Sequence, residues 1–94
     1  MSRQRSLEVI QVSEYVTIGE LVRLTSVRYS TLKYYTEEGM LPFQQEEEKL
    51  TRRYKRIESV KRILLIKELR TNGKTISDIK KELQIWDTYL ISIL

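Results

Sequence analysis

No cysteine occurs in this chain, and no histidine. Without thiols there is no disulfide, no thiolate metal ligand and no thiolate nucleophile. Without imidazole the usual general base, the commonest metal ligand and the natural titrating group near neutrality are all missing. Serine triads, zinc sites and thiolate metal sensing are therefore excluded. Glycine occurs three times and proline once, so no glycine-rich phosphate cradle can be built. No apolar run approaches the roughly 20 residues of a membrane helix. The opening Met1-Ser2-Arg3-Gln4-Arg5 has no apolar block behind it, unlike a secretory leader. The expectation is a soluble intracellular protein with neither cofactor nor metal.

What remains is a chain of 94 residues, 40% hydrophobic, with 17 Lys+Arg against 13 Asp+Glu. That length suits one small domain with short arms. The net charge of +4 permits an anionic partner without requiring one. The charge is uneven. Nine basic residues lie between Lys49 and Arg70 against two acids, Glu58 and Glu68, and Glu46-Glu47-Glu48 stands just before them. A solvated surface face is the plainer reading of such a run.

Residues 1–14 fit neither period well and read as an arm, either a short strand or loose chain. Thr17-Ile18-Gly19-Glu20 is a capping box, and Ile18, Leu21, Val22 and Leu24 follow it at helical spacing. The spacing predicts a helix from Ile18 to Thr25. Ser26-Val27 reads as a turn. A second helix runs from Tyr29 to Glu38 with Leu32 and Tyr35 inward and Tyr34 outward, and Gly39 ends it. Two short helices so joined form a helix-turn-helix or any other αα-hairpin. Pro42 then breaks the chain, and the polar stretch from Phe43 to Tyr54 has the length of a β-hairpin wing. From Arg56, Ile57, Val60, Ile63, Leu64, Leu65, Ile66 and Leu69 predict one wide helical stripe ending at Asn72-Gly73. Thr75 and Asp78 open a further helix with Ile76, Ile79 and Leu83 on one face. In the last segment, 84–94, Trp86, Tyr89, Leu90, Ile93 and Leu94 form another amphipathic helix. It either folds back on the domain, makes a dimer contact, or begins a longer helix.

The outward residues of the second helix, Arg28, Tyr29, Ser30, Lys33 and Tyr34, form the first candidate binding element. The run Arg52-Arg53-Tyr54-Lys55-Arg56 forms the second. Helix side chains can enter the DNA major groove, while Lys and Arg on a loop neutralise phosphates. Catalysis finds no comparable support. Glu37-Glu38 and Glu46-Glu47-Glu48 have no companion nucleophile, and the chain is read as a non-enzyme.

Three segments in order carry a resemblance: Tyr15-Val16-Thr17-Ile18-Gly19-Glu20-Leu21-Val22, then Thr31-Leu32-Lys33-Tyr34-Tyr35, then Glu38-Gly39-Met40-Leu41-Pro42. They resemble the start of a MerR-family DNA-binding domain, which reads roughly F-T-I-G-E-L-A, T-L-R-Y-Y-E and E-G-L-L-P. Arg53-Tyr54, Ile66-Lys67-Glu68-Leu69-Arg70 and Ile76-Ser77-Asp78-Ile79 extend it, so that it covers about Val16 to Leu83. The resemblance implies a mainly α fold: a winged helix-turn-helix of about four helices with a small β-hairpin wing, here with an additional amphipathic C-terminal helix. It divides the chain into an arm (1–14), the DNA-binding domain (15–83) and the apolar tail (84–94). It further implies a bacterial, cytoplasmic, nucleoid-associated transcription regulator. Such a protein binds double-stranded DNA as a homodimer or higher assembly, away from membranes and metals. Carried over by position, Tyr29, Ser30, Thr31, Lys33 and Tyr34 stand where the family's recognition helix meets DNA. Arg53 and Tyr54 hold the wing's basic and aromatic positions, flanked by Arg52 and Lys55, and Thr17 matches the first helix's cap.

The chain also departs from the family. Ser26-Val27-Arg28 replaces Gly-Val-Ser, which removes the usual serine cap of the recognition helix and puts Arg28 there. Ser30 replaces a frequent arginine, Thr36 the usual glutamate, and Leu50-Thr51 the wing's Gly-Tyr. After Leu83 the family continues into a long dimerisation helix and a sensing region, whereas 11 residues remain here. The chain is thus expected to be the DNA-binding part of a longer protein or a short, sensor-less relative. An excisionase-like or partition-type architectural protein that coats or bends direct repeats is the alternative. A protein–protein adaptor without DNA affinity is a third reading.

Overall fold

The computed structural model describes residues 4–48 and 50–93, with 89–93 described by their backbone alone. The element order is α1 (Leu7–Ile10), β1 (Tyr15–Val16), α2 (Ile18–Thr25), α3 (Tyr29–Glu37), β2 (Tyr54–Lys55), α4 (Arg56–Thr71) and α5 (Ile76–Ile93). The fold is mainly helical, with one small antiparallel pair of strands. The chain divides into two compact units, Met1–Ile63 and Leu64–Leu94.

In the first unit, α2 begins with a complete capping box. Thr17 Oγ1 accepts the Glu20 amide at 3.2 Å, and Glu20 Oε1 accepts the Thr17 amide at 2.9 Å. Leu21 turns inward and packs with the α3 residues Leu32 and Tyr35 in a core that also holds Ile10, Val16, Met40, Leu41, Tyr54 and Ile63. The turn between the helices is organised by Thr25, whose hydroxyl donates to the Leu21 carbonyl at 2.7 Å and accepts the Val27 amide at 3.3 Å. Ser26 caps α2 in the left-handed region at φ 60°, where a side chain is disfavoured. It stands at the position that the resemblance assigns to glycine. At the end of α3, Gly39 takes φ +73°, as its place after Glu38 predicts.

The arm differs from both expectations for it. Residues 7–10 form a single helical turn capped by Ser6, and Ile10 is fully buried. The arm is held by Arg5, whose guanidinium contacts both carboxylate oxygens of Glu20 at 2.7 Å and the Tyr15 carbonyl at 3.2 Å.

The wing is smaller than a full hairpin. Among the described residues a single bridge, Gln44 to Arg53, closes it through reciprocal amide-to-carbonyl bonds of 2.7 and 2.8 Å. The more regular pairing lies at its base, where Tyr54 and Lys55 face Val16 and Tyr15. The helix α4 starts directly behind it. Arg56 ties that junction back through its amide to the Glu14 carbonyl and its Nε to the Ser13 carbonyl. The predicted wide stripe of α4 narrows in the structure: Ile57 and Leu64 are 53% and 49% exposed, while Ile63 and Ile66 are fully buried.

The second unit contains the end of α4, a turn through Gly73 and α5. Thr75 and Asp78 form a second reciprocal cap, at 3.1 and 3.2 Å. Ile79 and Leu83 are buried, as their spacing predicts. No separate helix begins at Gln84: α5 continues through it, because nothing between Leu83 and Ile85 interrupts the helix. The five helices among the described residues thus divide differently from the expectation, with one in the arm and the tail merged into α5. Ile85 and Trp86 are exposed. The side chains of Tyr89, Leu90, Ile93 and Leu94, like Lys49 at the head of the basic run, lie outside the described residues.

Candidate nucleic-acid interface

The helix α3 starts without a side-chain cap. Arg28 occupies the cap position in extended geometry, with no hydrogen bond from its side chain to the helix. Its place before Tyr29 leaves the long guanidinium side chain exposed, as a serine cap would not. Along α3 the helical period sorts the residues into two faces. Leu32, Tyr35 and Thr36 are buried, whereas Tyr29, Ser30, Lys33, Tyr34 and Glu37 are exposed and Thr31 is half-buried. The rings of Tyr34 and Tyr35 lie 6.2 Å apart, tilted by 57°, so adjacent tyrosines serve opposite faces. Tyr29 and Tyr34 keep 54% and 44% of their surface open.

The wing arginines also diverge. Arg52 Nη1 donates to Glu37 Oε1 at 2.9 Å, and its guanidinium sits 4.7 Å from the centre of the Phe43 ring. Arg53 lies over the Tyr15 ring at 4.5 Å and, among the described residues, carries no ion pair. Their different partners, Glu37 and Phe43 for one and Tyr15 for the other, separate the two. Lys55 is exposed on β2.

Tyr54 is a correction. The resemblance puts it at the wing's aromatic position facing DNA, yet it is fully buried, with its hydroxyl 3.0 Å from Thr36 Oγ1. Inward alternation on β2 places it in the core. Its hydroxyl therefore links the wing's base to α3 and is closed off from the surface. Thr17 is half-buried, and its oxygen is occupied by the capping box.

Two contributions escaped the sequence reading. Phe43 forms the platform beneath Arg52 and leans on Tyr54, with centroids 6.1 Å apart. Arg5 neutralises Glu20 at the start of α2. Its hydrogen bond, helped by the Thr17 amide, holds the Glu20 carboxyl below its ordinary range, and the same bond raises Arg5 further. Likewise Glu37 raises Arg52, and the Thr75 amide and hydroxyl lower Asp78. No local pattern marks the Arg5–Glu20 pair, whose members are 15 residues apart.

Among the described residues, no group of three His, Cys, Asp or Glu side chains is placed to hold a metal ion. No described helix is long and apolar enough to cross a membrane.

Two helices joined by a three-residue turn, with one exposed polar face and a basic wing tied to the second helix, define a helix-turn-helix DNA-binding protein. The family model described as "MerR HTH family regulatory protein" matches residues 16–85, and the chain belongs to that family. It is a DNA-binding regulator of the MerR type. No curated protein and no solved structure matches the chain.

Proposed function

We propose that the chain is a sequence-specific transcription regulator that lays α3 in the major groove of duplex DNA and sets its wing on the flanking backbone. The observation that carries this reading is the exposed face of α3 beside a wing whose Arg52 reaches Glu37 of the same helix. Tyr29, Ser30, Lys33 and Tyr34 are the candidates for base edges and adjacent phosphates, with Thr31 at the margin. Arg28, Arg53 and Lys55 supply cations for the backbone. Thr17 retains its hydroxyl proton for a phosphate at the start of α2. Assembly as a homodimer on a palindromic site, in the bacterial cytoplasm and without catalytic activity, completes the proposal.

Selection of bound duplexes from a random pool tests it. Substituting Tyr29 or Ser30 with Ala changes the preferred sequence, while Arg53→Ala weakens binding to all duplexes alike. Unchanged preferences in both α3 variants overturn the assignment of α3 to the groove. Footprinting of the wild type on a selected site shows one short protected palindrome. Protection spreading in phase along direct repeats points instead to an architectural role.

A further inference from the structure

Five side chains join the wing to the end of α3 in a closed circuit. Glu37 accepts from Arg52 at 2.9 Å, Arg52 rests 4.7 Å above Phe43, and Phe43 leans on Tyr54 at 6.1 Å. The hydroxyl of Tyr54 then meets Thr36, the residue before Glu37, at 3.0 Å. The circuit thus leaves α3 at one residue and returns at its neighbour, through both arms of the wing. Gln44 and Arg53, adjacent to Phe43 and Tyr54, carry the bridge that closes the wing.

We propose that Arg52 is a positioning residue for DNA binding, held by Glu37 above Phe43 so as to fix the wing against the recognition helix, and that the wing's phosphate ligand is Arg53. This deepens the DNA-binding reading above and rests on it.

The charge balance supports the division of labour. Arg52 and Glu37 together present no net charge to a phosphate. Moving Arg52 onto DNA would leave the exposed Glu37 carboxylate unpaired beside a polyanion, which like-charge repulsion disfavours. An exposed ion pair alone holds a side chain weakly. Here the guanidinium also sits over an aromatic ring, and that ring leans on a buried tyrosine. Arg53, exposed, lies over the Tyr15 ring and, among the described residues, has no ion pair.

The test is the slope of log affinity against log salt, measured on one selected duplex with the full chain. Each lost phosphate contact makes the slope shallower by about one. Arg53→Gln is expected to do this. Arg52→Gln is expected to weaken binding severalfold while leaving the slope at its wild-type value. Glu37→Gln, which keeps the arginine, is expected to do the same. A slope shallower by about one in Arg52→Gln, or tighter binding with a steeper slope in Glu37→Gln, identifies Arg52 as a phosphate ligand and overturns the proposal. Unchanged affinity in both variants overturns it too. Absence of salt-dependent binding by the wild type overturns the DNA-binding reading itself, and this assignment with it.

Discussion

Tyr54 and Thr36 share a buried hydrogen bond of 3.0 Å that fastens the base of the wing to α3. Its direction follows from proton counting. Thr36 Oγ1 already donates its one hydrogen to the Leu32 carbonyl at 2.9 Å, so the Tyr54 hydroxyl is the donor. The bond stands where the resemblance leads to a glutamate, and it makes Thr36 part of the core instead of the surface.

The two ends of that bond are unequal under mutation. Tyr54→Phe removes the donor and leaves Thr36 bonded to Leu32, at a cost of about 1 kcal/mol. Thr36→Val takes away the acceptor of the buried tyrosine hydroxyl and costs about 2 kcal/mol. Urea denaturation of both variants checks the order. Because the Tyr54 hydroxyl is buried, affinity of folded Tyr54→Phe for duplex DNA is expected to stay within about twofold of wild type.

Arg28 opposes stability to binding. Arg28→Ser restores an oxygen to cap α3 and raises stability by about 1 kcal/mol. The same change removes an exposed cation from the proposed DNA-binding face and is expected to weaken DNA binding. Thermal melting and duplex titration of this variant are expected to move in opposite directions.

The Arg5–Glu20 pair predicts a pH dependence. Glu20 titrates below its ordinary value in the folded state, so it contributes stability that is full above about pH 5. That contribution shrinks as pH falls through the ordinary glutamate value and down to the depressed one. Comparison of wild type with Glu20→Gln by denaturation across acid pH checks it. The gap is expected to be constant near neutrality and to close in acid.

Much of this fold is legible where a local rule acts alone. The Thr17–Glu20 box starts α2, Gly39 ends α3 with positive φ, Thr75 and Asp78 start α5, and period assigns Tyr35 inward and Tyr34 outward. The features that escape depend on partners distant in sequence. A four-residue helix has no period to read, so the burial of Ile10 shows only once Arg5 has found Glu20. Two-residue strands give alternation too little length to reveal that Tyr54 faces inward. The positions of Ile57 and Leu64 within an apolar run conceal their exposure for the same kind of reason: the run is wider than the surface that covers it. In the candidate interface, residue types pointed to α3 and the wing, whereas the different fates of Arg52 and Arg53 are decided by Glu37 and Tyr15.

The most direct test is the salt dependence of duplex binding by the wild-type chain. With about six phosphates neutralised, log affinity falls against log salt with a slope near −5, measurable on random duplex as well as on a selected site. No binding to either at low salt, or a slope near zero, contradicts the claim that α3 and the wing together grip DNA.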